Sequence, residues 1–227
     1  MGKSTLVLGT FINWPKQISE PFFRSLECAD FHIVTESDGY DVTKEYGIEH
    51  IRHYIRVLEN PGSWKFDRVI LTDIRDVVFQ IPVNEIPHED ELCFFLEEDG
   101  TTINSCGYNR SWIEAYFGKV MLESIGDNIV SNVSISIGPR DLVLDYLKAL
   151  YELMLSSEYL KNGIDMAAHN VLIYDKKYPA KLYKNSEGPV WTIGNTKAVT
   201  VRNHKFYRED GSMPPIVHQY DRHVVVI

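Results

Sequence analysis

Two carboxylates and a guanidinium interrupt an apolar stretch of the sequence, FDRVILTDIRDVVFQIP at residues 66–82. Asp73 and Asp76 stand on either side of Arg75, and apolar residues precede and follow the three. Acids that follow a strand are most often turn residues, and Arg75 could neutralise both of them. Protein-bound Mg²⁺ or Mn²⁺ typically takes one or two carboxylates together with phosphate oxygens of a substrate. Because the chain turns apolar again directly after Asp76, we favour a divalent-cation site over a surface turn.

The segment HQYDRH near the C-terminus holds a second set of polar groups with suitable chemistry. Two solvent-exposed histidines would be the simpler explanation of such a pattern at a chain end. The residues PPIV before it are apolar and framed by proline, which favours an ordered element. We therefore expect His218 to supply an imidazole ligand to the same cation and Arg222 to contact a diphosphate.

The composition limits the classes of ligand. The chain has 227 residues, of which 44% are hydrophobic and 24% charged, and its formal net charge is -9. These values are typical of a soluble globular domain, and the negative field disfavours nucleic acid as a partner. A small phosphorylated ligand is compatible with this charge if a cation or an arginine offsets the phosphate.

The cysteines and the N-terminal segment predict a cytoplasmic protein. Cys28, Cys93 and Cys106 are odd in number and lack metal-ligand spacing, which favours reduced thiols. The N-terminal MGKSTLVLGTF has one basic residue and a short apolar run, so we expect neither a signal peptide nor a membrane span. Its GKST resembles the end of a phosphate-binding loop, but that loop needs a strand before it and a helix after it. We therefore do not assign a nucleoside triphosphatase.

Predicted strands and helices alternate along the sequence. Apolar runs predict strands at residues 5–12, 30–37, 67–73, 91–99, 128–138, 180–183 and 197–201. Helical spacing predicts helices at residues 14–27, 41–59, 108–125, 139–155 and 164–175, and residues 202–213 are predicted to form a polar loop.

This alternation predicts an α/β sandwich with a mainly parallel central sheet, formed by a single domain over residues 1–227. The apolar last residues suit a terminal strand or a domain of a longer chain equally well. Ligands of such sheets bind beyond the carboxyl ends of the strands. Asp73 and Asp76 follow the third predicted strand directly, so we expect them at that crevice.

The segment GIDMAAHNVLIYD places Asp165 at the start of a helix. A helix N-cap is the structural explanation, and a carboxylate that faces the substrate is the functional one. The two explanations are compatible. We expect His169, one turn later, to be a structural residue of the helix.

Taken together, these segments resemble the GT-A-fold glycosyltransferases, which use nucleotide-sugar donors, and among them the short viral or bacterial members. The resemblance covers nearly the whole chain and rests on a strand ending in GTF, the DIRD motif, SNVSISIG, IDMAAHN and HQYDRH. It implies a GT-A-like, Rossmann-like three-layer sandwich with a nucleotide-binding part at about residues 1–100 and an acceptor part at about residues 101–227. The family motif is D-x-D, so DIRD departs from it by one extra residue.

The resemblance also implies roles for individual residues. Asp76 matches the second acid of the family motif, Asp73 takes the place of the first, and His218 completes a site for Mn²⁺ or Mg²⁺. Asn132 matches the family's asparagine near the sugar. Asp165 is our first choice of catalytic base for an inverting reaction and Asp99 our second. The further residues that would contact the nucleotide, its diphosphate or the sugar are Thr10, Phe11, Ile12, Arg52, Arg56, Arg75 and Arg222.

The function implied is metal-dependent transfer of a sugar from a UDP-sugar donor to an oligosaccharide or glycoprotein acceptor. Many retaining members carry Asp-Gln where this chain has Asp165-Met166, so a retaining mechanism lacks support. The irregular DIRD motif favours, as an alternative, a catalytically weak module that binds a nucleotide sugar. A metal-dependent nucleotide-diphosphate phosphohydrolase is a further alternative, although such enzymes usually carry more clustered acids and histidines.

Overall fold

The computed structural model describes residues 4–12, 15–26, 29–39, 41, 46–87, 90–158, 160–194 and 199–223. The α-helices of this part of the chain are α1 (Lys16–Ser25), α2 (Tyr46–Glu59), α3 (Gly107–Ile125), α4 (Arg140–Leu155) and α5 (Ile164–Tyr174). None of the helices described combines the length and the apolar character needed to cross a membrane.

The strands are β1 (Thr5–Thr10), β2 (Asp30–Val34), β3 (Arg68–Thr72), β4 (Val77–Phe79), β5 (Cys93–Leu96), β6 (Ser131–Pro139), β7 (Lys181–Tyr183), β8 (Val190–Thr192), β9 (Thr200–Arg202), β10 (Lys205–Tyr207) and β11 (Ile216–His218). Six of them form the central sheet in the order β2-β1-β3-β6-β5-β7. Strand β6 runs antiparallel to both of its neighbours, and the other pairs in this sheet are parallel. The protein is therefore a mixed α/β fold with a mostly parallel sheet, as predicted.

The central sheet is buried on both faces because successive side chains of a strand point to opposite sides. Leu6 and Leu8 of β1 pack with α2, α4 and α5 in one apolar cluster. Val7 of the same strand belongs to a second cluster, which includes Phe22 of α1 and Val77 of β4. The continuous apolar run of β1 follows from this double burial.

A second, smaller sheet lies on the α1 side and has the order β4-β11-β8. In it β11 runs antiparallel to β4 and parallel to β8. The hairpin β9–β10 packs against its outer face, where Phe206 contacts the cluster of Trp191 and Val217. The predicted polar loop at 202–213 is thus wrong in part, because it contains β10, whose Phe206 is buried.

Other predicted elements exist with shorter bounds. Helix α1 begins at Lys16 rather than Trp14, and Trp14 itself lies outside the described residues. The predicted strand at 197–201 is described only from residue 199, where β9 begins at Thr200. Of the cysteines, Cys93 is a buried thiol, Cys106 is a partly buried thiol, and Cys28 lies outside the described residues.

Candidate metal centre and surrounding site

The DIRD motif lies where the chain leaves the central sheet and enters the smaller one. Strand β3 ends at Thr72, and the backbone N–H of Asp73 donates a hydrogen bond of 3.2 Å to the carbonyl of Ser134 on β6. The chain bends over residues 73–76, and Val77 then begins β4 in the other sheet. Both flanking strands are buried, which explains why apolar residues surround the two acids.

The register of the smaller sheet brings His218 to the motif. His218 pairs with Val77 across the antiparallel strands β11 and β4, and the N–H of Gln219 donates to the carbonyl of Asp76 at 2.7 Å. The His218 Nε2 atom lies 3.7 Å from Oδ1 of Asp76. One ligand atom from each of Asp73, Asp76 and His218 can be chosen so that all three lie within 4.8 Å of one another.

Burial and mutual repulsion change the pKa values in this cluster. Burial, followed by the charges of Asp76 and Asp165, raises the pKa of Asp73 to about 7, although a hydrogen bond with the side chain of Ser134 opposes the shift. Burial lowers the pKa of His218 despite the attraction of Asp76. The imidazole is therefore neutral at pH 7 and retains a lone pair for a ligand.

The cluster fits a divalent cation. Asp76 is only 3% exposed, yet its Oδ1 atom is buried without a hydrogen-bond partner. An unpartnered buried carboxylate oxygen is costly, and a bound cation would remove that cost. Two carboxylates and a neutral imidazole are ligands that Mn²⁺ and Mg²⁺ accept. Asp73, Asp76 and His218 are the residues that would hold the ion.

Two arginines lie beside these ligands. The Nη2 atom of Arg75 donates to Oδ2 of Asp76 at 2.9 Å, and its Nε lies 3.6 Å from Oδ2 of Asp221. The Arg75 side chain is 39% exposed, so it reaches the surface from the edge of the cluster. Arg222 is exposed, and its charge acts on both Glu97 and His218. Both arginines can contact an anion that binds at the cluster.

Asn132 links the cluster to Glu97, an acid that is not among the predicted site residues. The Nδ2 atom of Asn132 donates to Oε1 of Glu97 at 3.0 Å and lies 3.5 Å from Nδ1 of His218. Burial raises the pKa of Glu97, while the hydrogen bond from Asn132 and the charge of Arg222 oppose the shift. Asp99 is instead exposed in a turn beyond the end of β5. Glu97 directly follows the last apolar residue of β5, and this position in the sequence could have identified it as an acid at a strand end. In the structure its N–H donates to the carbonyl of Val130, so pairing with the neighbouring segment continues to Glu97.

Asp165 lines a cavity of about 140 Å³ whose walls include Asp73 but neither Asp76 nor His218. His50, Ser134 and Asn162 are among its walls, and Nε2 of His50 lies 3.9 Å from Oδ2 of Asp165. The expectation that Asp165 caps α5 is wrong, because the N-cap is Gly163 and Asp165 is the second residue of the helix. Asp165 instead accepts a hydrogen bond from the N–H of Met166 at 2.9 Å. Its carboxylate is thus shared between the helix start and the cavity.

The segment expected to flank a nucleotide lies at the carboxyl end of β1. The Oγ1 atom of Thr10 is buried without a hydrogen-bond partner, and the N–H of Phe11 donates to Val34 at 2.9 Å. Ile12 is 6% exposed and belongs to the core cluster below α2. Thr10 therefore offers a polar side-chain atom, whereas Ile12 has a structural role in the core.

The two arginines of α2 that were predicted to contact the donor make their contacts with residues other than the metal ligands. Arg52 donates to Oε2 of Glu49 at 2.6 Å. Arg56 lines a different cavity, of about 550 Å³, whose walls include Leu6 at the start of β1 and Phe66 before β3. Its walls also include Val34 and Asp38 at the carboxyl end of β2, but none of Asp73, Asp76 and His218 lines it. The structure thus brings Arg75 and Arg222 to the cluster and places Arg56 elsewhere.

His169 is a structural residue, as expected. It is fully buried, with Nδ1 2.6 Å from the Tyr146 hydroxyl and Nε2 3.0 Å from the Ser131 hydroxyl. Burial lowers its pKa to about 3.

Comparison with known proteins adds no assignment, because no family model and no curated protein matches this chain.

Proposed function

We propose that this protein is a metal-dependent glycosyltransferase that transfers a sugar from a UDP-sugar to a glycan acceptor. The observation that carries the proposal is the cluster of half-buried Asp73 with buried Asp76 and His218 at the carboxyl end of β3, in which one carboxylate oxygen of Asp76 is unpartnered. A site with three protein ligands leaves positions open for phosphate oxygens of the donor. The resemblance of the sequence to GT-A-fold enzymes supports the same function.

The residues around the cluster suit a nucleotide diphosphate. Arg75 and Arg222 are cations at the surface beside the metal ligands, so they would contact the diphosphate and favour its departure with the nucleotide. A bound Mn²⁺ or Mg²⁺ would offset the charge on the same phosphates. Thr10 and Phe11, at the carboxyl end of the adjacent strand β1, would bind the nucleoside.

Asp165 and Glu97 are the candidate bases for the acceptor hydroxyl. Asp165 lines the cavity next to Asp73, and Glu97 is joined to the cluster through Asn132. We place Asp165 first because its carboxylate faces a space beside the metal ligands, whereas Oε1 of Glu97 is engaged by an amide. Glu97 replaces Asp99 as the second candidate.

Ligand-dependent thermal stability tests the proposal. We expect UDP with Mn²⁺ to raise the melting temperature more than UDP alone, and more than GDP, CMP or TDP with the metal. A ligand at 100 times its Kd stabilises the folded state by about 2.7 kcal/mol, which corresponds to roughly 6 °C for a chain of this size. Asp76→Asn should weaken Mn²⁺ binding at least tenfold in isothermal titration calorimetry.

Asp221→Asn is the matched control. Asp221 also contacts Arg75 but is not one of the three clustered ligands, so Mn²⁺ affinity should stay within about twofold of wild type. A metal shift that survives Asp76→Asn would refute the metal site. Release of free sugar or a glycosylated product from UDP-sugar, lost in the Asp76→Asn variant, would establish turnover.

A nucleotide-sugar-binding module without turnover is the second candidate. The ion pair of Arg75 with Oδ2 of Asp76 favours it, because a guanidinium already holds one oxygen of a metal ligand. Such a module would bind UDP with little dependence on Mn²⁺ and would release neither sugar nor UDP. An Arg75→Ala variant separates the two functions: the transferase should lose turnover but keep metal binding, whereas the module should gain metal affinity.

A further inference from the structure

Helix α3 carries two neighbouring aromatic side chains, of which Tyr108 is exposed and Trp112 is half-buried. Tyr108 and Trp112 are four residues apart and therefore neighbours on one face of the helix. Their ring centroids are 5.6 Å apart with an interplanar angle of 34°, so the two tilted rings form one aromatic surface, which we call the ledge. Tyr108 is 74% exposed. An exposed aromatic ring that continues onto a half-buried one forms a contiguous apolar surface, and such surfaces often bind ligands.

The ledge adjoins the cavity of the candidate site. The Trp112 ring packs directly on Gly163, where it leaves no room for a Cβ atom. Tyr116, one turn further along α3, donates its hydroxyl to the carbonyl of Asn162 at 2.7 Å. Asn162 is itself a wall of the cavity that holds Asp165. The rings therefore lie next to the rim of that cavity, on the side of the α5 start.

The charges on α3 indicate a neutral ligand. In the part of the helix that carries the two rings, before the kink at Gly118, the exposed charged side chains are one cation and one acid, Arg110 and Glu114. This balance neither attracts nor repels a charged partner, and the chain's net charge of -9 disfavours nucleic acid on the rings. The C–H groups of a pyranose carry slight positive charge and pack well on the negative face of an aromatic ring.

We propose that Tyr108 and Trp112 form a subsite that stacks a neutral pyranose ring of the acceptor oligosaccharide. The inference rests on the proposed glycosyltransferase function, which needs an acceptor whose hydroxyl reaches the cavity at Asp165. A ledge at the cavity rim would hold a sugar unit of the acceptor that is one or more units away from the unit whose hydroxyl reacts. Tyr108 and Trp112 would thus contribute to acceptor affinity and leave donor binding unchanged.

Binding of unlabelled neutral oligosaccharides tests the subsite directly. Maltohexaose, cellohexaose, chitohexaose and an array of neutral glycans provide the probes, and saturation-transfer NMR gives the contact and the affinity without any turnover. We expect at least one probe to bind, and Tyr108→Ala to weaken it at least fivefold. Tyr108 is too exposed to support the core, so this variant should fold normally. Trp112→Phe should weaken binding less, because a smaller ring remains.

Trp64→Ala is the matched control. Trp64 is 64% exposed and follows the C-terminal end of α2. The cavity with Asp165 is near the other end of that helix, where a Cβ atom added at Gly47 would lie 3.2 Å from Cγ of Asp165. Glycan binding should be unchanged in this variant. Failure of every probe to bind, binding that Tyr108→Ala does not weaken, or a wild-type dimer that Tyr108→Ala dissociates in sedimentation would each overturn the inference.

The same variants separate this inference from the proposed function. Tyr108→Ala should keep the thermal shift with UDP and Mn²⁺, and should raise the KM for the acceptor without changing hydrolysis of the donor. If the UDP and Mn²⁺ shift is absent while glycan binding depends on Tyr108, the glycosyltransferase proposal fails and the sugar subsite stands. If the shift is present and glycan binding ignores Tyr108, only the subsite is wrong.

Discussion

His169 should make the stability of this protein fall in mild acid. Its imidazole is fully buried between two hydroxyl groups, and burial lowers its pKa to about 3 from an ordinary value of 6.5. Between these two values the unfolded chain binds a proton that the folded chain does not. Linkage then requires that the contribution of His169 to the free energy of unfolding decrease as the pH falls from about 6.5 towards 3, whereas the raised pKa of Asp73 contributes in the opposite direction below about pH 7.

The size of the effect follows from the two pKa values. At pH 5 the single proton favours the unfolded state by RT ln[(1 + 10^1.5)/(1 + 10^-2)], which is about 2 kcal/mol. At pH 7.5 the same expression gives about 0.1 kcal/mol. For a chain of this size, a loss of about 2 kcal/mol lowers the melting temperature by roughly 4 °C.

A substitution isolates this contribution from the other titrating groups. In His169→Gln the amide retains a polar group near the Ser131 hydroxyl but cannot titrate. We expect the variant to be less stable than wild type at pH 7.5, and the difference between them to shrink by about 2 kcal/mol at pH 5. Urea unfolding followed by circular dichroism at a series of pH values measures both curves.

Tyr146→Phe is the control, because it removes the hydroxyl beside Nδ1 but keeps the buried imidazole. Burial raises the pKa of Tyr146 well above its usual range, so its hydroxyl does not titrate between pH 5 and 7.5. This variant should lose stability by a similar amount at both pH values and remain parallel to wild type. Parallel curves for His169→Gln and wild type would refute the assignment of the acid sensitivity to His169.

Two other residues give further predictions. Arg68→Met should lower the free energy of unfolding by about 3 kcal/mol, because the buried guanidinium donates to the carbonyls of Val83, Ile86 and Pro87, which would lose their partners. Urea denaturation measures this, and a loss below about 1 kcal/mol would show that water or rearrangement replaces these bonds. Thr192→Val should weaken Mn²⁺ binding roughly tenfold in calorimetry, because the Thr192 hydroxyl lies 3.2 Å from Nδ1 of His218 and would orient the ring for coordination through Nε2. Thr192→Ser keeps the hydroxyl and should bind Mn²⁺ nearly as well as wild type; equal affinity in the Val variant would exclude this orienting role.

Local patterns in the sequence were sufficient to predict the main helices and strands and the two acids of the candidate metal centre. The apolar run of β1 and the helical spacing of α2 and α4 depend on residues close in sequence, so their periodicity predicts them. The acids at Asp73 and Asp76 were recognisable for the same reason, since an abrupt change from apolar to charged residues marks a strand end. The pattern did not show that the chain changes sheets there.

Contacts between segments that are distant in sequence could be identified only from the tertiary structure. The direction of β6 between β3 and β5 depends on how the chain crosses over, so alternating apolar residues alone do not determine it. The choice between Glu97 and Asp99 was decided by Asn132, a residue 35 positions from Glu97. Asp165 lies beside Asp73 because α2 and α5 pack on the same face of the sheet.

The candidate metal centre shows this division most clearly. The types of its residues and the position of its acids at a strand end are properties of the sequence alone. The distance of 3.7 Å between His218 and Asp76 depends on the antiparallel register of β11 with β4, whose residues are more than a hundred positions apart. A register shift of one residue would turn the imidazole to the opposite face of the small sheet. Only packing of the two sheets selects the register that brings these side chains together.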